Sequence, residues 1–269
     1  MINLFHTRSI LSVPGDRPQK FVKAYKAGAD LVHFDLEDSI LPGRKDFARQ
    51  QIALWLASKP QSSCCLRINK YGTEMYAKDI ATFRQSCELV FIPKVESNAE
   101  INATAQNMQC PVVAIIETAK GVRDVNQILT PTPNLAGVVF GQSDFCADLR
   151  LPYEECLWAS RFVLLAAKLA GVPIFASPWA WIDREPQTTD RAGFDGQVCL
   201  NPQQVKWVNK CYTPTELEIS QAKAVVEQHR DGKENFYNVS GLLLTHEYIH
   251  WARLTLDRAA CYLGRSRTN

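Results

Sequence analysis

The segment Leu31–Asp38 (LVHFDLED) decides the fold class, because it is apolar where it starts and acidic where it ends. A half-exposed strand alternates apolar and polar residues along its whole length. A strand of a parallel sheet is instead buried on both faces and forms a nearly continuous apolar run. Asp35, Glu37 and Asp38 are therefore expected at the edge of the sheet where such a buried strand emerges.

Seven other segments have a similar composition and alternate with stretches of helical character. The predicted strands are Arg8–Pro14, Cys64–Lys70, Leu89–Val95, Pro111–Thr118, Leu135–Asp144, Val172–Trp179 and Gly196–Pro202. The predicted helices between them include Asp16–Lys26, Arg44–Ala57, Met75–Phe83, Asn98–Asn107, Tyr153–Ala170 and Pro202–Lys210. Eight strands in such alternation indicate the α/β class and a closed (β/α)₈ TIM barrel rather than an open sheet.

The end of the sequence departs from this alternation. Thr215–Asp231 is predicted to form a helix, Gly232–Ser240 a loop and Thr245–Leu263 an amphipathic helix. We therefore expect one barrel domain at residues 1–212 and a short C-terminal helical extension at residues 213–269. The extension is interpreted as a lid or as a contact between subunits.

Composition excludes several classes of protein. The net charge is only +2 and the basic residues are scattered, so no nucleic acid partner is expected. No apolar run approaches the ~18–20 residues of a membrane span, and the N-terminus lacks the apolar core of a signal peptide. The nine cysteines are dispersed without a C-x-x-C motif, which indicates thiols used mostly as small hydrophobes in a reducing compartment. These features predict a cytoplasmic globular protein.

Polar residues recur at the C-terminal ends of the predicted strands, where barrel enzymes place their active sites. Glu117 and Asp144 stand at the ends of neighbouring strands. Two converging carboxylates form an oxygen-rich site that suits Mg²⁺ and leaves positions for water and substrate. Alternatively, one of them only balances the charge of Arg67 or Lys94.

Arg67 lies in an otherwise apolar strand, where an unpaired guanidinium would be costly, so it is expected to face the barrel mouth. Its planar fork suits bidentate capture of a carboxylate. An internal salt bridge with Glu37 or Asp38 explains Arg67 equally well. Arg8 and Lys94 leave the same two alternatives open.

Six motifs follow one another along the barrel: Arg8–Gly15 (RSILSVPG), Asp35–Lys45 (DLEDSILPGRK), Arg67–Asn69 (RIN), Ile92–Glu96 (IPKVE), Ile116–Gly121 (IETAKG) and Gly141–Asp144 (GQSD). In this order and spacing they resemble the citrate lyase β-subunit-like branch of the HpcH/HpaI aldolase family. A similar closing motif follows at Gly193–Val205 (GFDGQVCLNPQQV). The resemblance covers about Arg8 to Asn209 and extends weakly through Ala260.

This resemblance implies a barrel, usually a homotrimer, that binds Mg²⁺ as its cofactor. It implies cleavage of citryl, malyl or citramalyl thioesters, including those of coenzyme A, by aldol or Claisen-type chemistry. The partner is therefore expected to be a small-molecule hydroxyacyl thioester or keto acid.

The resemblance also implies roles for individual residues. Glu117 and Asp144 stand at the positions of the metal ligands, and Arg67 stands where the family holds the carboxylate or carbonyl end of the substrate. The residues implied around the same pocket are Arg8 and Lys94, together with Glu37 and Asp38 in the acidic motif that supports the metal and its waters. Arg67, Glu37 and Asp38 are the catalytic candidates.

The chain departs from the family near its C-terminus. Relatives commonly carry an Asp there that reaches a neighbouring subunit's site as acid or base, whereas this chain carries Thr245. Three hypotheses therefore stand. The protein is a Mg²⁺-dependent carbon–carbon lyase acting on a short hydroxyacyl thioester, a free-acid aldolase that releases pyruvate or oxaloacetate, or a non-catalytic accessory subunit that keeps the metal and keto-acid site.

Overall fold

The computed structural model describes residues 2–58, 64–178, 191–231, 236–239 and 241–266. Contacts between residues divide the chain into two compact units, Met1–Cys211 and Tyr212–Asn269. Each unit is described by itself. None of the described helices is long and apolar enough to cross a membrane.

The first unit is a closed barrel whose described strands are all parallel and follow one another in sequence order. The strands are β1 (Ser9–Pro14), β2 (Leu31–Asp35), β3 (Cys65–Arg67), β4 (Leu89–Ile92), β5 (Val112–Ile116), β6 (Leu135–Phe140), β7 (Ile174–Ala176) and β8 (Gly196–Cys199). The barrel closes because β1 pairs with both β2 and β8. The predicted TIM barrel is confirmed.

The strands end earlier than predicted, because their polar ends leave the ladder. After β2, the Asp35 carboxylate accepts hydrogen bonds from the backbone N–H groups of Glu37 and Ser39, at 2.9 and 3.1 Å, and turns the chain. Asp144 was predicted at the end of a strand but lies in the first turn of a helix that begins at Gln142. Of the predicted strand Val172–Trp179, Trp179 lies outside the described residues.

Helices alternate with the strands along the chain and connect them. They are α1 (Phe21–Tyr25), α2 (Lys45–Ser58), α3 (Glu74–Phe83), α4 (Asn98–Met108), α5 (Ala119–Arg123), α6 (Val125–Ile128), α7 (Gln142–Leu149), α8 (Leu157–Leu169) and α9 (Pro202–Tyr212). Helix α1 begins later than predicted because Pro18 starts a 3₁₀ turn, Pro18–Lys20, in front of it. Helices α5, α6 and α7 are not predicted from the sequence, because they are too short to show a helical period.

Apolar side chains from the barrel strands form one buried core cluster. They include Ile10, Leu31, Phe91, Val113, Phe175 and Val198, and all of these are buried. Burying a side chain of this size contributes about 1.5–3 kcal/mol relative to exposure. The core therefore supports a polar layer at the C-terminal ends of the strands.

Cys146 in α7 and Cys156 form a disulfide with a Cα–Cα distance of 6.2 Å. This pair is an exception to the expected use of the thiols mostly as small hydrophobes. The pairing depends on how the chain folds back after α7, which spacing alone does not reveal. The described free cysteines other than Cys261 are buried, as expected for small hydrophobes.

The second unit contains α10 (Glu216–Asp231), β9 (Phe236–Val239), β10 (Leu242–Thr245) and α11 (Tyr248–Ser266). Strands β9 and β10 pair antiparallel. The predicted loop Gly232–Ser240 is therefore wrong across β9, while residues 232–235 and 240 lie outside the described part of the chain. Thr245 ends a strand instead of beginning a helix, because the pairing of β10 with β9 outweighs the helical period of the residues that follow.

Candidate active site

A cavity of about 240 Å³ lies at the C-terminal ends of the barrel strands. Its lining is apolar at Phe91, Ile115 and Val139. The polar residues that line it include His33, Arg67, Glu117, Asp144 and Ser177. A concave apolar site with a few convergent polar groups is the usual form of a small-molecule site.

Two carboxylates meet in this cavity. Glu117 directly follows β5 and is only 2% exposed, and Asp144 reaches the cavity from the first turn of α7. Burial raises the pKa of Glu117 well above its usual range, and the negative charges of Asp144 and Glu37 raise it further. Oxygen ligands that repel one another are a donor set for a hard cation.

The donor set fits Mg²⁺ in particular. Among the described residues, no cluster of three or more His, Cys, Asp or Glu side chains forms a metal site. Mg²⁺ is commonly bound through one or two carboxylates and keeps its other positions for water and substrate. Glu117 and Asp144 would therefore hold it with positions left open.

Lys94 connects these carboxylates with the loop after β2 that carries Glu37 and Asp38, which we call the acidic loop. Its backbone N–H donates to Glu117 Oε1 at 2.9 Å, and its Nζ donates to Glu37 Oε1 at 2.5 Å and to Asp38 Oδ1 at 3.2 Å. Burial alone lowers the pKa of Lys94, but the two acidic partners raise it above its ordinary value overall. Lys94 has a φ of 53°, a backbone conformation that is uncommon outside glycine and that clusters at functional sites.

Arg67 is oriented chiefly by Asp35. Its Nε and Nη2 donate to the two oxygens of Asp35 at 2.7 and 2.6 Å, and its Nη1 lies 3.3 Å from Glu37 Oε2. Burial alone raises the pKa of Asp35, but the charge of Arg67 and its hydrogen bonds lower it overall. One edge of the guanidinium is thus occupied, and Nη1 is the nitrogen directed at the acidic loop.

Asp35 is the main partner of Arg67, whereas the sequence predicts a salt bridge only with Glu37 or Asp38. The pairing follows from the register of the two strands in the structure, since Asp35 and Arg67 stand opposite each other on β2 and β3. The salt bridge and the cavity position of Arg67 both exist, so the two alternatives for this residue are not exclusive.

A buried network supports the acidic loop from below. Lys45 donates to the backbone carbonyl of Glu37 at 3.2 Å and also to Asn69 Oδ1. Asn69 donates to Asp79 Oδ2 at 2.7 Å, and Arg49 donates to Asp79 Oδ1 at 2.7 Å. These hydrogen bonds are not predicted from the sequence, because Asp79 lies on a helix without any motif that indicates a site.

Ser177 holds the start of α7. Its hydroxyl accepts from the backbone N–H of Gln142 at 2.7 Å and donates to the carbonyl of Phe140 at 2.5 Å. It therefore connects the ends of β6 and β7 and fixes the turn that carries Asp144. This residue and His33 were not predicted as site residues.

Arg8 is not part of this site. It precedes β1, and its Nε and Nη2 donate to the carboxylate of Asp30, which precedes β2, at 2.8 and 2.9 Å. Parallel strands begin at one end of a barrel and finish at the other, so this pair lies at the end opposite the cavity. The expectation that Arg8 surrounds the pocket is wrong. The structure brings together Arg67, Glu37, Asp38, Lys94, Glu117 and Asp144.

The fold and the site define an α/β-barrel protein with an acidic cavity at the C-terminal mouth. Residues 8–202 match the HpcH/HpaI aldolase/citrate lyase family. The chain belongs to this family.

Two curated relatives illustrate the range of names in the family. Citrate lyase subunit beta of Leuconostoc mesenteroides subsp. cremoris is 32% identical over 252 residues, which cover 84% of this chain and 83% of the relative. The (3S)-malyl-CoA thioesterase of Cereibacter sphaeroides (strain ATCC 17025 / ATH 2.4.3) is 30% identical over 270 residues, which cover 94% of each chain.

Two solved structures of Mycobacterium tuberculosis proteins share the fold. The protein CitE in complex with magnesium, acetoacetate and coenzyme A has a TM-score of 0.79 and 26% identity, covering 94% of this chain and 98% of that one. A citrate lyase beta subunit complexed with oxaloacetate and magnesium has a TM-score of 0.70 and 29% identity, covering 79% and 100%.

Proposed function

We propose that this protein is a Mg²⁺-dependent carbon–carbon lyase that cleaves a short hydroxyacyl thioester of the citramalyl, malyl or citryl type into an acyl thioester and a keto acid. The observation that carries the proposal is the convergence of Glu117 and Asp144 beside Arg67 in one cavity. The complexes of similar proteins with magnesium, acetoacetate, oxaloacetate and coenzyme A support it.

Glu117 and Asp144 would hold the metal. Mg²⁺ held there would supply the positive charge that stabilises a developing keto oxygen. The Nη1 of Arg67 binds the carboxylate of the keto-acid half, and its fork keeps that orientation because Asp35 occupies the other edge. Charge that develops in the reaction therefore meets groups that are already in position.

The acidic loop supplies the proton acceptor. Cleavage removes a proton from the substrate hydroxyl, converts that C–O bond into C=O, breaks the adjacent C–C bond and leaves the electron pair on the carbon next to the thioester as an enolate, which then takes up a proton. Burial raises the pKa of Glu37 to about 7, and hydrogen bonding with Asp38 contributes to the increase. A pKa near the operating pH suits a general base.

A free-acid aldolase that releases pyruvate or oxaloacetate is the second candidate. The observation that favours it is Thr245, which carries a hydroxyl at the position where the family resemblance implies a catalytic carboxylate. The first proposal, the thioester lyase, includes coenzyme A as the thioester carrier and assembly as a homotrimer.

The test is a product analysis of citramalyl-, malyl- and citryl-CoA with and without Mg²⁺. We expect a keto or oxo acid and an acyl-CoA in equal amounts, with loss of activity in Glu117→Gln. Glu154→Gln, at an exposed position, is the matched control and keeps the activity. Free coenzyme A released without a keto or oxo acid would indicate a thioesterase instead. Cleavage of the free hydroxy acids alone would favour the aldolase, and no turnover of any substrate would leave the accessory subunit.

A further inference from the structure

His33 is a buried polar group with no assigned role. It lies in the middle of β2, is 3% exposed and lines the cavity. Among the described residues, neither Nδ1 nor Nε2 has a hydrogen-bond partner. Buried polar side chains are nearly always hydrogen-bonded, because an unsatisfied one loses its hydration without compensation. A bound ligand can therefore supply the hydrogen-bond partner that the imidazole lacks among the described residues.

Its position places it deeper in the barrel than the charged site. His33 stands opposite Ser12 of β1, and two residues further along β2 Asp35 stands opposite Arg67. Since alternate residues of a strand face the same side, His33 lies on the same face of β2 as Asp35. It is two residues further from the C-terminal end of the strand. Its ring packs against Phe91 with 4.7 Å between centroids, so one side of the ring is apolar and fixed.

The imidazole is neutral in this environment. Burial, together with the charge of Arg67, lowers the pKa of His33 to about 3, and Asp35 opposes this only in part. A neutral imidazole has one N–H donor and one acceptor nitrogen. It can donate to a carbonyl or carboxylate oxygen, and it can exchange a hydrogen bond in either direction with a hydroxyl.

We infer that His33 forms a polar subsite at the floor of the cavity, where it binds an oxygen at the end of the ligand remote from Arg67. The subsite selects keto acids that end in a hydroxyl or a carboxylate over keto acids that end in an alkyl group. The inference rests on the proposed function, since it takes Arg67 as the residue that holds the keto-acid end. A methyl group at this point would leave both ring nitrogens unpaired, and such a mismatch strongly reduces affinity.

Hydroxypyruvate and 2-oxobutyrate test this inference directly. They have the same charge and number of non-hydrogen atoms, and differ in a terminal hydroxyl against a terminal methyl group. In titration calorimetry with saturating Mg²⁺, we expect the parent to bind hydroxypyruvate about 5–10-fold more tightly, the value of one hydrogen bond. The ratio of the two dissociation constants should fall to about 1 in His33→Leu and recover in part in His33→Gln, which restores a donor and an acceptor. His6→Leu is the control for loss of a histidine elsewhere.

A measurement on the unaltered protein covers the case in which a variant does not fold. With ¹⁵N-labelled histidine, the ring nitrogens of His33 should shift on addition of hydroxypyruvate and Mg²⁺ but not of 2-oxobutyrate. Equal affinities for the two acids in the parent, an unchanged ratio in His33→Leu, or unshifted ring nitrogens would each overturn the subsite and leave the proposed function standing. Failure of the parent to bind either acid in the presence of Mg²⁺ would overturn both.

Discussion

Gly141 and Glu117 are in such close contact that a Cβ added to Gly141 would lie 2.5 Å from the Glu117 Cβ. The glycine also donates its backbone N–H to the carbonyl of Ile116 at 2.9 Å. Glu117 therefore occupies its position in the cavity because residue 141 has no side chain. This relationship connects the two motifs that carry the carboxylates, Ile116–Gly121 and Gly141–Asp144.

Gly141→Ala should displace Glu117 and weaken Mg²⁺ binding. Because the methyl group meets the Cβ of Glu117 as well as its flexible end, the side chain cannot simply rotate away. We expect the dissociation constant for Mg²⁺ to rise by about tenfold or more in calorimetry. Gly43→Ala is the matched control, since nothing lies within 4 Å of a Cβ added there. Equal losses in the two variants would show that the close contact has no role.

Glu117→Gln should stabilise the protein in the absence of Mg²⁺ and abolish its stabilisation by Mg²⁺. At a pH above the raised pKa of Glu117, where the measurement is made, the substitution removes a buried charge that Asp144 and Glu37 repel. A gain of about 1 kcal/mol corresponds to a rise of about 2–4 °C in Tm for a chain of this size. Differential scanning calorimetry with and without Mg²⁺ measures both effects. A lower Tm without Mg²⁺, or a Tm that still rises on addition of Mg²⁺, would contradict the assignment.

Binding of Mg²⁺ should weaken as the pH falls. The folded-state pKa of Glu117 is raised, so its contribution to the stability of the metal-free protein is present in acid and is lost as the pH rises through that pKa. Mg²⁺ needs the deprotonated form, so below this pKa it competes with one proton, and its affinity decreases by up to about tenfold per pH unit.

The measurement for this prediction is the increase in Tm caused by Mg²⁺, followed across a pH series. The increase should become larger towards alkaline pH in the parent protein. Glu117→Gln should show no increase in Tm with Mg²⁺ at any pH of the series. A parent whose response to Mg²⁺ is the same at every pH would exclude Glu117 as a ligand that titrates with a raised pKa.

Arg67→Lys should weaken keto-acid binding although the charge is kept. A lysine cannot reproduce the two parallel hydrogen bonds to Asp35, so neither the orientation of the cation nor the pairing of Asp35 survives. Binding of oxaloacetate in the presence of Mg²⁺ should weaken by about 1–3 kcal/mol. Titration calorimetry measures this, with Arg161→Lys as a control on the exposed face of α8. Unchanged affinity in Arg67→Lys would refute its role in holding the acid.

Thr245→Asp should accelerate thioester cleavage if the extension serves the site as the family resemblance implies. General acid–base catalysis typically contributes about 10²–10⁴-fold, so the parent should be slow and the variant clearly faster. The rate of keto-acid or oxo-acid release from citramalyl-, malyl- and citryl-CoA is the measurement. Thr245→Asn is the control, because the side chain of Asn has the shape of Asp without its charge. A Thr245→Asp variant no faster than the parent on all three thioesters would favour the free-acid aldolase or the non-catalytic accessory subunit.

The barrel itself could be predicted from sequence because its signals are local. Each strand is a short apolar run, each helix has its own period, and the polar end of Leu31–Asp38 marks the end of the barrel that carries the cavity. The same local signals identified Glu117, Arg67 and Lys94 as residues at strand ends, and the structure places them together. Parallel strands finish at one edge, so proximity followed from position along each strand.

The partners of these residues depend on contacts between segments distant in sequence, and periodicity contains no information about them. Asp35 pairs with Arg67 through the register of β2 and β3, and Arg8 pairs with Asp30 at the opposite end of the barrel. His33 looks like one more residue of a buried strand until its neighbours are known. Hydrophobic periodicity determines which face of an element is buried, whereas the tertiary structure determines which polar groups meet there and whether a group such as His33 finds a hydrogen-bond partner among the described residues.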